Sequence, residues 1–317
     1  DGGSGRSPAP QSILSRMVSP VENPDRLSSV RAADGLKLAV ETVHPAGTPT
    51  LLFAHGFGQT RGAWAATVAA LAAQGCRCVS FDQRGHGDSG RNRDGGYHIE
   101  QFADDLVRVA RAQPQPPVLV GASMGGLLGL ATAAEASPPP YRALVLVDIT
   151  PRWEAEGVAR IVTFMKAYPD GFSDLAEAAE RIAEYLPQRR ERKSGEQLRP
   201  LLREGADGRL RWHWDPMLLD MVRESERHQP RLMAAAANID VPVLLLSGGR
   251  SDVVSRATVE EFLQVAPGVQ HVELPQATHM VAGDANDAFT REIARFVQSL
   301  DQPVARQAAG NPQVVMR

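Results

Sequence analysis

Cysteine is nearly missing: Cys76 and Cys78 are the only two in 317 residues. Both fall in Cys76-Arg77-Cys78-Val79-Ser80-Phe81, which reads as a strand, so the two side chains share a face. Residues two apart on an extended strand meet disulfide geometry poorly, which predicts free buried thiols and suits a reducing, cytoplasmic setting. Charge of one sign is also lacking. The 34 Lys and Arg against 37 Asp and Glu leave a formal −3, so no nucleic-acid partner is expected. The short basic run Arg189-Arg190-Glu191-Arg192-Lys193 reads as a solvated loop. No apolar run approaches the ~20 residues of a membrane span. No His/Cys/Asp cluster has metal-ligand spacing, and no Gly-rich loop precedes a helix in a phosphate-binding context, so neither metal nor cofactor is expected. Residues 1–26 are rich in Gly, Ser and Pro and lack the apolar stretch of a secretory signal. Asp1 to Arg16 is expected to be foreign to the native chain, with Met17 its start, and residues 301–317 to form a flexible tail.

What is present alternates. A hairpin is expected from Leu27–Arg31 through Asp34-Gly35 into Leu36–Val43. Strand candidates then follow at Thr50–Ala54, Cys76–Phe81, Val118–Ala122 and Ala143–Val147. Helical patterns lie between them at Ala63–Gln74, Ile99–Ala112 and Met124–Ala136. This βα alternation predicts an α/β fold, a mostly parallel, doubly wound sheet. It breaks after Asp148. Residues 151–239 offer only helical periodicity, at Val158–Tyr168, Leu175–Tyr185, Glu196–Leu202 and Met217–Ala237, and no strand candidate. The strand Val241–Ser247, a helix at Val254–Val265, the strand Val269–Leu274 and a helix at Ala285–Leu300 then complete the pattern. The domain reading is a core of residues 27–150 and 240–300 with a helical lid, 151–239, inserted after the sixth strand.

The run Val118-Leu119-Val120-Gly121-Ala122-Ser123-Met124-Gly125-Gly126 places Gly-x-Ser-x-Gly between a strand and a helix, the context of a nucleophile elbow. A Cβ at either flanking glycine would crowd the turn. A serine alcohol needs a positioned base, and histidine titrates near working pH. Of the eight histidines, His279 lies just after the last strand, at the carboxyl edge where chemistry collects in open α/β sheets. The third group should orient the imidazole. Asp252, after the strand Val241–Ser247, is the expected acid. Asp148 competes, but Asp148-Ile149-Thr150-Pro151 carries turn and cap residue types and reads as a brace. Two backbone donors should face a developing oxyanion: Met124 N–H, at the positive start of a helix, and Phe57 N–H in His55-Gly56-Phe57-Gly58. His55 reads as a buried loop tie rather than a base.

These segments, with Asp82-Gln83-Arg84-Gly85-His86-Gly87-Asp88-Ser89, are similar to the α/β-hydrolase superfamily over roughly Leu27 to Leu300. The resemblance is to the serine-nucleophile, esterase or peroxidase-like branch with a helical cap. It implies a cap after strand six and a structural turn at Asp82–Ser89, so His86 is given no catalytic role. Relatives that hydrolyse epoxides or haloalkanes carry Asp at the position of Ser123, so the resemblance argues against both chemistries. Perhydrolases typically carry Pro in the oxyanion loop, where this chain reads Phe57-Gly58-Gln59-Thr60. The resulting expectation is hydrolysis of a small, mainly apolar ester or lactone through an acyl-enzyme. Thioester, carbon–carbon bond and perhydrolysis chemistry on the same serine remain alternatives, as does a low-turnover ligand-binding protein. Trp153, Phe164, Trp212, Trp214 and Met217 are the pocket candidates, with Trp212 and Trp214 aimed the same way if their segment is extended. Arg160, Lys166, Arg181 and Arg223 could anchor a carboxylate, while His213 and His228 read as surface residues.

Overall fold

A computed structural model describes residues 26–93, 96–185, 194–284 and 286–301. The expectations for residues 1–25, the basic run at 189–193 and residues 302–317 lie outside the described residues. The chain opens with β1 (Leu27–Arg31), β2 (Lys37–Val43) and β3 (Thr50–Ala54), then α1 (Ala65–Ala73), β4 (Arg77–Phe81) and α2 (Ile99–Arg111). β5 (Val118–Ala122), α3 (Met124–Glu135) and β6 (Ala143–Val147) follow. The eight-stranded sheet is completed further on by β9 (Val243–Gly248) and β10 (Gln270–Leu274), in the order β1-β2-β4-β3-β5-β6-β9-β10. Pairing is parallel from β4 to β10, while β2 runs antiparallel to both of its neighbours.

The central strands are buried along their whole length and mostly apolar because both faces of the sheet are covered. Period-two alternation divides their side chains. Leu52, Leu119, Leu144 and Leu245 meet α2, α3 and residues Val259 and Phe262 on one face. Leu51, Phe53, Val120 and Leu246 meet Trp64, Leu71, Phe289 and Phe296 on the other. Cys76 and Cys78 belong to this second layer as free, buried thiols, and burial pushes the Cys78 thiol up to about 12.

Between β6 and β9 the chain leaves the main sheet. This segment holds α4 (Ala155–Lys166), α5 (Leu175–Tyr185), α6 (Gly195–Leu198), β7 (Leu202–Glu204), β8 (Leu210–Trp212), α7 (Leu218–Arg223) and α8 (Gln229–Ala237). The β7–β8 hairpin was not expected. Strands of three residues are too short to show a period of two, although the Asp207-Gly208 pair, with Gly208 at φ 74°, marks the turn. The helix expected over Met217–Ala237 is interrupted by a 3₁₀ turn at Ser225–His228. Pro230 explains the break: it is tolerated in the first turn of α8 but offers no N–H to a helix arriving from upstream. After β9 come α9 (Arg256–Val265), then β10, α10 (Val281–Asp284) and α11 (Asn286–Leu300). Among the described residues, no helix is long and apolar enough to cross a membrane.

Candidate active site

Ser123 occupies the turn between β5 and α3 at φ 47°, ψ −117°, backbone that a non-glycine residue holds at a cost of about 1–3 kcal/mol. The glycines make the turn possible. A Cβ on Gly121 would stand 2.6 Å from Gly125 O and 2.7 Å from Gly126 Cα, and one on Gly125 would collide with the Ala54 backbone. The sheet register then sets what lies beside the serine. Ala122 pairs with Val147, and Ser123 N–H donates to Val147 O at 3.1 Å. Asp148, one residue past β6, is therefore level with Ser123 on the neighbouring strand.

His279 meets Asp148, not Asp252. Its Nδ1 lies 2.7 Å from Asp148 Oδ2. The Asp148 carboxylate is fully buried and also accepts from Gly248 N–H at 2.7 Å and Ser251 Oγ–H at 2.5 Å. Asp148, expected to cap or brace the loop that follows it, instead ties down the loop after β9 and holds the histidine with the same carboxylate. Asp252 lies four residues beyond the end of β9, where the chain has turned outward against α4, and it pairs with Arg160 Nη2 at 2.9 Å. The expectation that Asp252 orients His279 is corrected on that geometry.

The loop after β3 is held group by group. Gly56 N–H donates to Gln59 Oε1 at 3.1 Å and Gly58 N–H to His86 Nε2 at 3.1 Å. Phe57 N–H, between them, has no acceptor among the described residues. His55 Nδ1 is 2.8 Å from Gly56 O, while its Nε2 accepts from Gln83 N–H at 3.0 Å. His213, expected at the surface, is buried: Nδ1 accepts from Gly87 N–H at 2.9 Å and Nε2 is 3.1 Å from Gly58 O. Desolvation lowers the pKa of all three imidazoles below the usual histidine range, that of His213 to about 4. His86 touches backbone on both nitrogens, with Nδ1 at 3.0 Å from Arg84 O.

Ser123 and His279 line one cavity of about 1240 Å³, walled in part by Phe164, Met165, Trp212 and Met280. Ser123 and Phe57 also line a second, narrow cavity of about 120 Å³ that reaches Met124 and Trp153. Of the pocket candidates, Phe164 and Trp212 thus face the large cavity and Trp153 the narrow one. Trp214 lines neither; it packs on the Phe57 ring, with centroids 5.5 Å apart. It does not share the direction of Trp212 because β8 ends at Trp212 and the backbone bends there. Met217 lines neither cavity and is exposed. Among the described residues, no group of three His, Cys, Asp or Glu side chains converges as a metal site.

A nucleophile-type turn, a carboxylate-held histidine and an open backbone N–H at the carboxyl edge of this sheet define a hydrolase-type architecture. The alpha/beta hydrolase family profile matches residues 51–292, and the chain belongs to that family. Over 250 residues it is 30% identical to the 3-hydroxybutyrate-oligomer hydrolase of Cupriavidus necator, covering 74% of this chain and 84% of that one. Among solved structures, the thioesterase domain from the curacin biosynthetic pathway superposes with a TM-score of 0.68 at 26% identity, covering 84% of this chain and 98% of that one. An E-2-(acetamidomethylene)succinate hydrolase superposes with a TM-score of 0.72 at 24% identity, covering 86% and 99%.

Proposed function

We propose that the protein cleaves carboxylic esters through an acyl-enzyme formed on Ser123, with His279 as the base and Asp148 as the acid that orients it. The observation that carries this reading is the 2.7 Å contact between His279 Nδ1 and the buried Asp148 carboxylate, on the wall of the cavity into which the Ser123 elbow opens. His279 takes the Ser123 proton as Oγ attacks the carbonyl carbon. Phe57 and Met124 N–H hold the oxyanion. The carbonyl reforms as the ester C–O bond breaks, and His279 gives its proton to the departing alkoxide oxygen. It then takes a proton from water, whose oxygen attacks the acyl-enzyme; collapse returns that proton to Ser123 Oγ and releases the acid. The segment 151–239 acts as the lid, supplying Phe164, Met165 and Trp212 as apolar wall. The ester-linked oligomer named for the Cupriavidus relative falls within the substrate class.

Ser123→Ala should lose turnover of p-nitrophenyl esters and labelling by a fluorophosphonate while keeping its unfolding transition. Retained turnover in that folded variant would overturn the assignment. Thioester cleavage is the second reading, favoured by the 26% identity to a thioesterase domain. Paired oxoester and thioester substrates with the same acyl group decide between them.

A further inference from the structure

Ser123 stands where two cavities of very different size meet, about 1240 Å³ and about 120 Å³. Their walls differ in chemistry as well as in volume. The wide cavity contains His279, Asp252 and Arg250. The narrow one contains Met124 but not His279, shares Phe57 with the wide one, and is bounded mainly by apolar residues such as Leu127, Trp153, Met221 and Leu232, with Ser225, His228 and Arg231 also on its wall.

We infer that the narrow cavity is the acyl subsite, so that the enzyme selects esters of short-chain acids on large alcohols. This rests on the proposed ester chemistry and deepens it. The leaving oxygen must take its proton from His279, so the alcohol arm lies on the side of the carbonyl carbon that faces His279. That side is the wide cavity. The acyl chain, bonded to the same carbon with its oxygen held by Phe57 and Met124 N–H, extends the other way, over Met124 and into the narrow cavity. An apolar cavity of ~150 Å³ holds benzene, so this one admits an acyl chain of roughly four or five carbons. Leu127, Trp153, Met221 and Leu232 give a hydrocarbon chain apolar contact on a wall that is mostly apolar.

The test varies the two arms separately on the full-length protein. In a series of p-nitrophenyl esters, kcat/KM should rise about fourfold for each methylene that enters the cavity and fall steeply once the acyl chain exceeds about five carbons. Butanoate esters of methyl to decyl alcohol should show no such limit. Met221→Trp, which fills the cavity, should reduce the butanoyl-to-acetyl ratio of kcat/KM by about tenfold, and Leu232→Ala should move the optimum to longer acyl chains. An acyl series flat to decanoyl, or a length limit on the alcohol arm instead, overturns the assignment while leaving the ester chemistry standing. A Met221→Trp variant that lowers acetyl and butanoyl esters equally, with Leu232→Ala leaving the optimum in place, also overturns it. No turnover of any ester in either series overturns the ester reading and this subsite with it.

Discussion

Replacing Asp148 by Asn separates the two candidate acids because the structure dictates what an amide does there. The carboxylate accepts from three donors: Gly248 N–H on Oδ1, and Ser251 Oγ–H and His279 Nδ1 on Oδ2. An asparagine has one oxygen and one NH₂. The Gly248 amide can only donate, so the oxygen stays with it and the NH₂ takes the Oδ2 place. Ser251 can rotate its hydroxyl and accept. His279 can meet an NH₂ only through an unprotonated Nδ1, which moves its proton to Nε2 and leaves no lone pair to take a proton from Ser123. In serine hydrolases with this wiring the equivalent Asp-to-Asn change lowers kcat by about 10⁴, or about 5 kcal/mol of barrier. The fold should lose less, about 1.5–3 kcal/mol for one charge-assisted bond in a buried network. Asp252→Asn removes only the ion pair with Arg160, whose partners are 33% and 56% exposed, and should cost at most about 1 kcal/mol of stability. Activity of Asp252→Asn should stay within severalfold of the parent. The assay is steady-state ester hydrolysis beside urea unfolding of both variants. A larger kcat loss in Asp252→Asn than in Asp148→Asn refutes the reasoning.

Gly121→Ala should destabilise by about 1–3 kcal/mol or more, since its Cβ meets rigid backbone at 2.6 Å, and a lowered urea midpoint reads this out. Gly268→Ala, with nothing within 4 Å, should stay within about 0.5 kcal/mol in the same measurement. Stability should fall on acidification between pH 6.5 and 4. His213, His55 and His86 have folded pKa values below the unfolded one, so the unfolded chain binds more protons in that window. His213 alone contributes up to about 3 kcal/mol, so urea midpoints against pH should flatten measurably in His213→Gln, and a parent midpoint constant across the window refutes the assignment.

The nucleophile turn and His279 were legible because local sterics or position specify them. Only Gly fits at Gly121 and Gly125, and His279 sits in the short loop between the last strand and the helix that begins at Val281. The carboxylate partner of His279 is not legible because Asp148-Ile149-Thr150-Pro151 and Ser247-Gly248-Gly249-Arg250-Ser251-Asp252 are equally loop-like in composition. What separates them is register, a non-local quantity. Ser123 and Asp148 each stand one residue past a five-residue strand, and those two strands are neighbours. The immediate adjacency of Asp148 to its apolar strand was the available signal. The hairpin at β7–β8 hid for a related reason: its strands carry too few residues for periodicity, and with it hid the burial of His213, since the hairpin leads His213 into the crowded space beside Gly58 and Gly87.

That burial bears on the chemistry proposed at Phe57. A peptide unit is planar, so the Phe57 N–H and the Gly56 carbonyl turn together. Each of the three histidines accepts a backbone N–H on one nitrogen, which assigns the proton to the other: Nδ1 of His55, Nδ1 of His86 and Nε2 of His213. His55 thus donates to Gly56 O and fixes the plane that aims Phe57 N–H, while polarising that peptide toward stronger donation. His86 and His213 hold the two polar groups of Gly58, its N–H and its carbonyl, from opposite sides. Desolvation by burial keeps these imidazoles neutral, which suits the role, since a charged imidazole would need a second acceptor where the backbone presents a donor. Since His213 comes from the inserted segment, docking of that segment adds a hold on this loop at the Gly58 carbonyl, the residue after Phe57. Substitutions in the insert that loosen His213 should therefore loosen the loop carrying the proposed Phe57 donor, even when they touch neither Ser123 nor His279.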